Sequence, residues 1–182
     1  MNILNIVTMK ITISKNTKFI PVYIIPFLLL PFFILSCGSS DDQRNFEQEA
    51  FQRPAGITET EPNGTVISED PDDWRIAPFF QGLVEVSPAF PNPVLTNEQL
   101  RIEFTALGIE SVNGLEAAVL FEDGSIRSLF IDNTVPLPPG LLVIPIDPQQ
   151  LGRFQSEIVG LHRILIFDLN RNIISYGDVE VE

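Results

Sequence analysis

Lysine does not occur after Lys18, and cysteine, histidine and tryptophan occur once each, as Cys37, His162 and Trp74. Each scarcity excludes something. A single cysteine cannot form a disulfide within the chain. One histidine without a second thiol or imidazole leaves a zinc site short of ligands. No serine or acid stands out as a partner of His162 in a Ser-His-acid arrangement, so His162, between Leu161 and Arg163, reads as an ordinary strand residue. No glycine-rich phosphate loop follows a strand. The charge is of one sign: all 24 acids follow Cys37, against eight arginines there, so the formal −13 of the chain becomes −16 once the first 36 residues are set aside. Such a field opposes phosphate backbones and anionic headgroups, and no nucleic-acid partner is expected.

What is present begins with a leader. Residues 1–18 hold three lysines and no acid, 19–35 read FIPVYIIPFLLLPFFIL, and Ser36 and Cys37 follow. A positive segment, an apolar segment and a small-residue cleavage site in that order are those of an export signal. The uncharged stretch is also long enough to cross a hydrocarbon core of about 30 Å, but Pro21, Pro26 and Pro31 interrupt it and weaken a membrane-spanning helix. The expectation is a signal peptide over 1–36.

The tetrapeptide Ile34-Leu35-Ser36-Cys37 at the end of that run resembles the lipobox of bacterial lipoproteins. The resemblance implies that a dedicated peptidase recognises Ile34, Leu35 and Ser36. It also implies that Cys37 carries a diacylglyceryl group and, as the first residue of the mature protein, further acylation. Two or three chains at about 0.8 kcal/mol per buried methylene make a durable anchor where one is marginal. The implied partner is the membrane, and the implied address the cell envelope, with the outer membrane favoured. Gly38-Ser39-Ser40-Asp41-Asp42 resembles the acidic tag of surface-exposed lipoproteins of some Gram-negative bacteria and equally fits a solvated linker, so periplasmic and surface placements both stand.

Residues 37–75 are rich in Asp, Glu, Gln, Gly and Pro and are expected to form a flexible acidic tether, disordered except where Trp74, with Ile76, docks on the adjoining domain. From there to residue 182 short apolar or alternating runs are separated by turn chemistry, the pattern of an all-β domain. Strands are expected at 83–86, 100–104, 117–121, 126–131, 141–146, 163–168 and 173–181. Asp123-Gly124 and the 168–172 segment are expected turns, and Asp147-Pro148 a helix start. About seven strands over 76–182 predict a single immunoglobulin-like β-sandwich without the Cys-Trp-Cys framework of antibody domains. Val86-Ser87-Pro88-Ala89-Phe90-Pro91-Asn92-Pro93-Val94 resembles the opening of the β-sandwich domains that end type IX secretion cargo. The ending Gly177-Asp178-Val179-Glu180-Val181-Glu182 departs from theirs, so the likeness implies the fold and not the sorting function.

Glu69-Asp70-Pro71-Asp72-Asp73 gathers four carboxylates without the spacing of a calcium loop, and is expected to be a solvated loop. No catalytic, cofactor or metal site is expected. The sequence predicts a non-enzymatic, lipid-anchored envelope protein that presents its sandwich for binding or scaffolding; the alternative is an accessory subunit of an outer-membrane secretion or nutrient-uptake assembly, paired through exposed strand edges.

Overall fold

The computed structural model describes residues 38–108 and 112–182. In chain order these form α1 (Gly38–Ala50), β1 (Glu59–Thr60), β2 (Val66–Ser68), β3 (Val84–Val86), β4 (Leu100–Ala106), β5 (Leu115–Leu120), β6 (Ile126–Asp132), β7 (Gly140–Ile146), β8 (Gly160–Phe167) and β9 (Ile173–Val181). The seven expected strands are β3 to β9, with ends moved by up to three residues. The turns between them follow the expected chemistry. Gly124, at φ +79°, closes the β5–β6 turn, while the Asp123 carboxylate accepts from Ser125 N–H at 3.0 Å. Between β8 and β9 the Asp168 carboxylate accepts from Asn172 N–H at 2.8 Å. Asp147 caps a short 3₁₀ turn, Pro148–Gln150, by accepting from Gln149 N–H.

The strands make two antiparallel sheets, β3-β4-β7 and β6-β5-β8-β9, with β1-β2 as a separate hairpin. This is an immunoglobulin-like sandwich in which the fourth strand, β6, has left the first sheet and lies beside β5. In the first sheet β4 buries Leu100, Ile102, Phe104 and Ala106 and turns Arg101 out, the alternation of a sheet with one wet face. β7 follows the same rule, with Ile144 and Ile146 buried and Leu141, Val143 and Pro145 exposed.

The second sheet is buried on both faces along β5, β8 and β9. Directly opposed residues of antiparallel strands share a face, so Val119, Ile164 and Gly177 with Ala117, Ile166 and Ser175 form one side, and Leu120, Arg163 and Asp178 with Ala118, Leu165 and Tyr176 form the other. Ala117, Ala118, Ile164, Leu165, Ile166, Ser175 and Tyr176, from both sides, are all buried. That second side is covered by α1: Phe46 and Ala50 are buried, the Phe46 and Tyr176 rings stand 5.1 Å apart, and Arg163 Nη1 donates to the Glu49 carbonyl at 2.9 Å.

Here the expected disordered tether is corrected. From Asp41 to Arg75 the chain is a helix, a hairpin and a strap folded onto the domain. The reason is the double burial of β8 and β9, whose outer face would otherwise show Leu165 and Tyr176 to water. Among residues 41–50 of α1 only Gln43, Phe46 and Ala50 are buried, a single stripe at i, i+3 and i+7, too sparse to register against the polar remainder.

The strap closes the outer edge of β9. Trp74 N–H donates to the Tyr176 carbonyl at 2.7 Å and Ala77 N–H to that of Ile174 at 2.8 Å. Asp73 Oδ1 accepts from Asp178 N–H, and the fully buried Asn92 gives its Nδ2 to the carbonyls of Thr58 and Asp178 and takes Glu180 N–H at 2.9 Å. Val94 then pairs in parallel with Val181. Trp74 docks as expected, at 5% exposure. Its ring lies where a Cβ on residue 177 would fall, 2.2 Å from Trp74 Cε2, so glycine alone fits there.

Candidate functional site

The residues implied by the lipobox, Ile34, Leu35, Ser36 and Cys37, lie outside the described residues, as does the whole of 1–37. The body next to Cys37 is ordered from Gly38 onward, and among residues whose burial is described the first buried one is Gln43. No helix among the described residues is long and apolar enough to cross a membrane.

Two polar groupings were formed that no sequence motif announced. The first joins the strap to β8 and β9. Arg163 and Asp178, at 7% and 2% side-chain exposure, make a bidentate pair with both contacts at 2.7 Å. Asp178 Oδ2 also accepts from Ala55 N–H at 3.0 Å. Beside it Asp73 accepts from the N–H groups of Thr58 and Asp178 at 2.8 and 2.9 Å. Burial lifts the Asp73 carboxyl to about 6 against the pull of those two bonds, and the Asp178 charge adds to the rise. Arg75 reaches Glu49 Oε2 and the Tyr176 hydroxyl oxygen, both at 2.6 Å. Every charge here has a partner within the fold, so the cluster fastens segments far apart in sequence.

The second grouping is a cleft of about 660 Å³ at one end of the sandwich, between residues 51–54 after α1, the 120–124 turn, the 151–157 loop and the start of β8. Phe121 stands beneath two guanidinium groups, Arg153 at 4.2 Å and Arg127 at 5.2 Å from the ring centre, a cation–π arrangement. Arg153 is held at 2.5 Å from Asp123 Oδ1 and bonds the Ser125 hydroxyl. The Arg153 and Ser125 bonds hold the Asp123 carboxyl well below the usual carboxylate range. Phe51, 51% exposed, and Arg53 form another wall of the cleft.

His162 belongs to this cleft, at its floor. Its Nε2 lies 2.7 Å from the Ile158 carbonyl, so that nitrogen carries the proton and Nδ1 is left as an acceptor. Burial pushes the imidazole below its ordinary value, against the Ile158 bond and the Glu157 charge, so it is neutral at pH 7. Neutral His162 could take a proton, but the walls bring it no hydroxyl or thiol. Two of the cleft's three carboxylates are likewise committed, Asp123 to Arg153 and Glu157 to Arg153 N–H at 3.1 Å, and the third, Glu122, is exposed. The arrangement suits holding a ligand better than transforming one. Sequence reading placed the turn 121–125 and His162 correctly as local structure but could not join them to residues 51–54, about 70 positions before the turn, or to the 151–157 loop after it.

The acidic run 69–73 diverges. Asp73 turns inward as described, Asp70 Oδ1 accepts from Asp72 N–H at 3.0 Å, and Asp72 lies 3.8 Å from Arg75. Among the described residues no three His, Cys, Asp or Glu side chains come together as a metal-ligand set. In comparisons with known proteins, no family model matches the chain and no curated protein matches it.

Proposed function

We propose that the protein is a lipid-anchored component of a bacterial cell envelope, with the outer membrane as its site, that presents an immunoglobulin-like β-sandwich for binding or scaffolding and performs no catalysis. The observation that carries this reading is the order of the chain: a lysine-bearing start, an apolar run ending in Ile34-Leu35-Ser36-Cys37, and then at once a strongly acidic body. The fold supports it, because residues 38–182 form one compact unit with its own core. Cleavage before Cys37 and acylation of its thiol would leave the sandwich intact. The cleft beside Phe121 supports a binding role, with apolar walls and an arginine, Arg53, that has no ion-pair partner among the described residues.

Metabolic labelling with a fatty acid tests the anchor. The parent protein is expected to be labelled and to lack residues 1–36, whereas Cys37→Ala accumulates as unlabelled precursor that keeps them. Labelling and processing of the variant at the level of the parent would end the proposal.

A further inference from the structure

The two lateral sides of the sandwich are unlike. One is closed by the strap along β9, and the other, where β6 and β7 are the outermost strands, has no such cover among the described residues. Of the unpaired edges, β3 is three residues long, and β6 is broken by a bulge at Leu129 and carries Arg127 and Asp132. β7 alone is long, regular and uncharged. It runs in unbroken register with β4 from Gly140 opposite Ala106 to Ile146 opposite Leu100.

The direction of its free backbone groups follows from β4. Arg101 exchanges both its hydrogen bonds with Phe90, and the Glu103 carbonyl accepts from Ser87, so these residues point away from β7. Their opposites, Pro145 and Val143, must therefore turn their backbone groups to the open side, as must Leu141. Pro145 has no N–H to lose there, the one place in a sheet where proline fits. The side chains of the same three residues form an apolar row on the outer face, Leu141 at 61% and Val143 at 41% exposure.

We propose that β7 pairs antiparallel with β7 of a second copy of this chain, joining two three-stranded sheets into one of six strands. With Val143 on the two-fold axis, Val143 faces its own counterpart and exchanges two hydrogen bonds. Leu141 faces Pro145 of the other copy, and the Leu141 N–H meets the Pro145 carbonyl on each side. Charge selects the occupant. Each copy carries a formal −16 after residue 36, yet residues 133–146, the β6–β7 connection and β7 itself, hold no charge at all. Two copies can meet on that strip without setting carboxylates against one another. Acyl chains or a glycan would leave the backbone donors without ladder partners.

Sedimentation velocity of the full chain in detergent, over a concentration series, tests this. The parent is expected to be a dimer. Val143→Lys should weaken it by about 100-fold, since the two lysines then oppose one another across the axis, and Leu141→Lys, which sets a charge in the apolar row against Pro145 of the other copy, by about tenfold. Val143→Pro removes only outward N–H groups and should weaken it by about tenfold or more. Ile67→Lys, at another exposed apolar residue, should change nothing. Circular dichroism confirms that each variant keeps its β-sheet. A monomeric parent at every concentration, even one that captures a different envelope protein, overturns the proposal. So does a dimer that survives the lysines, one that is lost with them but survives Val143→Pro, or one equally sensitive to Ile67→Lys.

Discussion

Among single residues, Asn92 and Asp73 carry the most testable consequences. Asn92 uses its whole amide to close the β9 edge, so Asn92→Ala would strand two carbonyls and one N–H in the interior. Each unsatisfied buried group costs about 1–3 kcal/mol, and a loss of about 3 kcal/mol or more is expected in urea denaturation. A loss below about 1 kcal/mol, the size of one ordinary hydrogen bond, would show that water replaces the amide. Asp73 predicts the sign of a pH dependence. Its carboxyl rises from 3.8 to about 6 on folding, so the native state holds the proton more tightly. The stability this contributes is complete below about pH 4 and is lost as pH rises through about 6. Melting temperature should therefore fall between pH 4.5 and 7 by more in the parent than in Asp73→Asn. Parallel curves for the two would remove Asp73 from the account.

Among elements, the strands were legible and their cover was not. β4 alternates residue by residue, and Asp-Gly and Asp-Pro mark turns whose carboxylates do accept the expected N–H groups. The helix escaped notice because three residues hold it to the sheet. A signal for it stood elsewhere: Ile164-Leu165-Ile166-Phe167 and Ile173-Ile174 are continuous apolar runs, and a strand without alternation is covered on both faces. Such runs require some other part of the chain to lie over them, and 38–77 was the part left. The cleft was illegible for another reason, since four separate segments build it and none carries a motif. If α1 is a structural layer, Phe46→Ala should cost about 3 kcal/mol, the usual loss for a buried phenylalanine, in chemical denaturation. A neutral result would return α1 to the status of a loose appendage.

For the whole molecule the dominant quantity is charge. A body with 24 carboxylates and eight arginines repels itself when compact, and salt screens that repulsion over a Debye length of about 10 Å at 0.1 M. Melting temperature should rise as sodium chloride is raised from low to moderate concentration, measured by scanning calorimetry. A fall would mean that the ion pairs joining strap and strands, Arg163 with Asp178 and Arg75 with Glu49, outweigh the general repulsion.

The strap along β9 also sets an order of events. Ala55 is bound to Asp178, and Glu49 to Tyr176, across 123 and 127 positions of sequence. Contacts of such span form late, because the intervening chain must first be drawn together. The front of the body therefore lacks its anchorage on β8 and β9 until the ribosome has made the end of β9. Until then the outer face of the second sheet and the helix that covers it wait for one another, so closure of that layer belongs to the last stretch of synthesis.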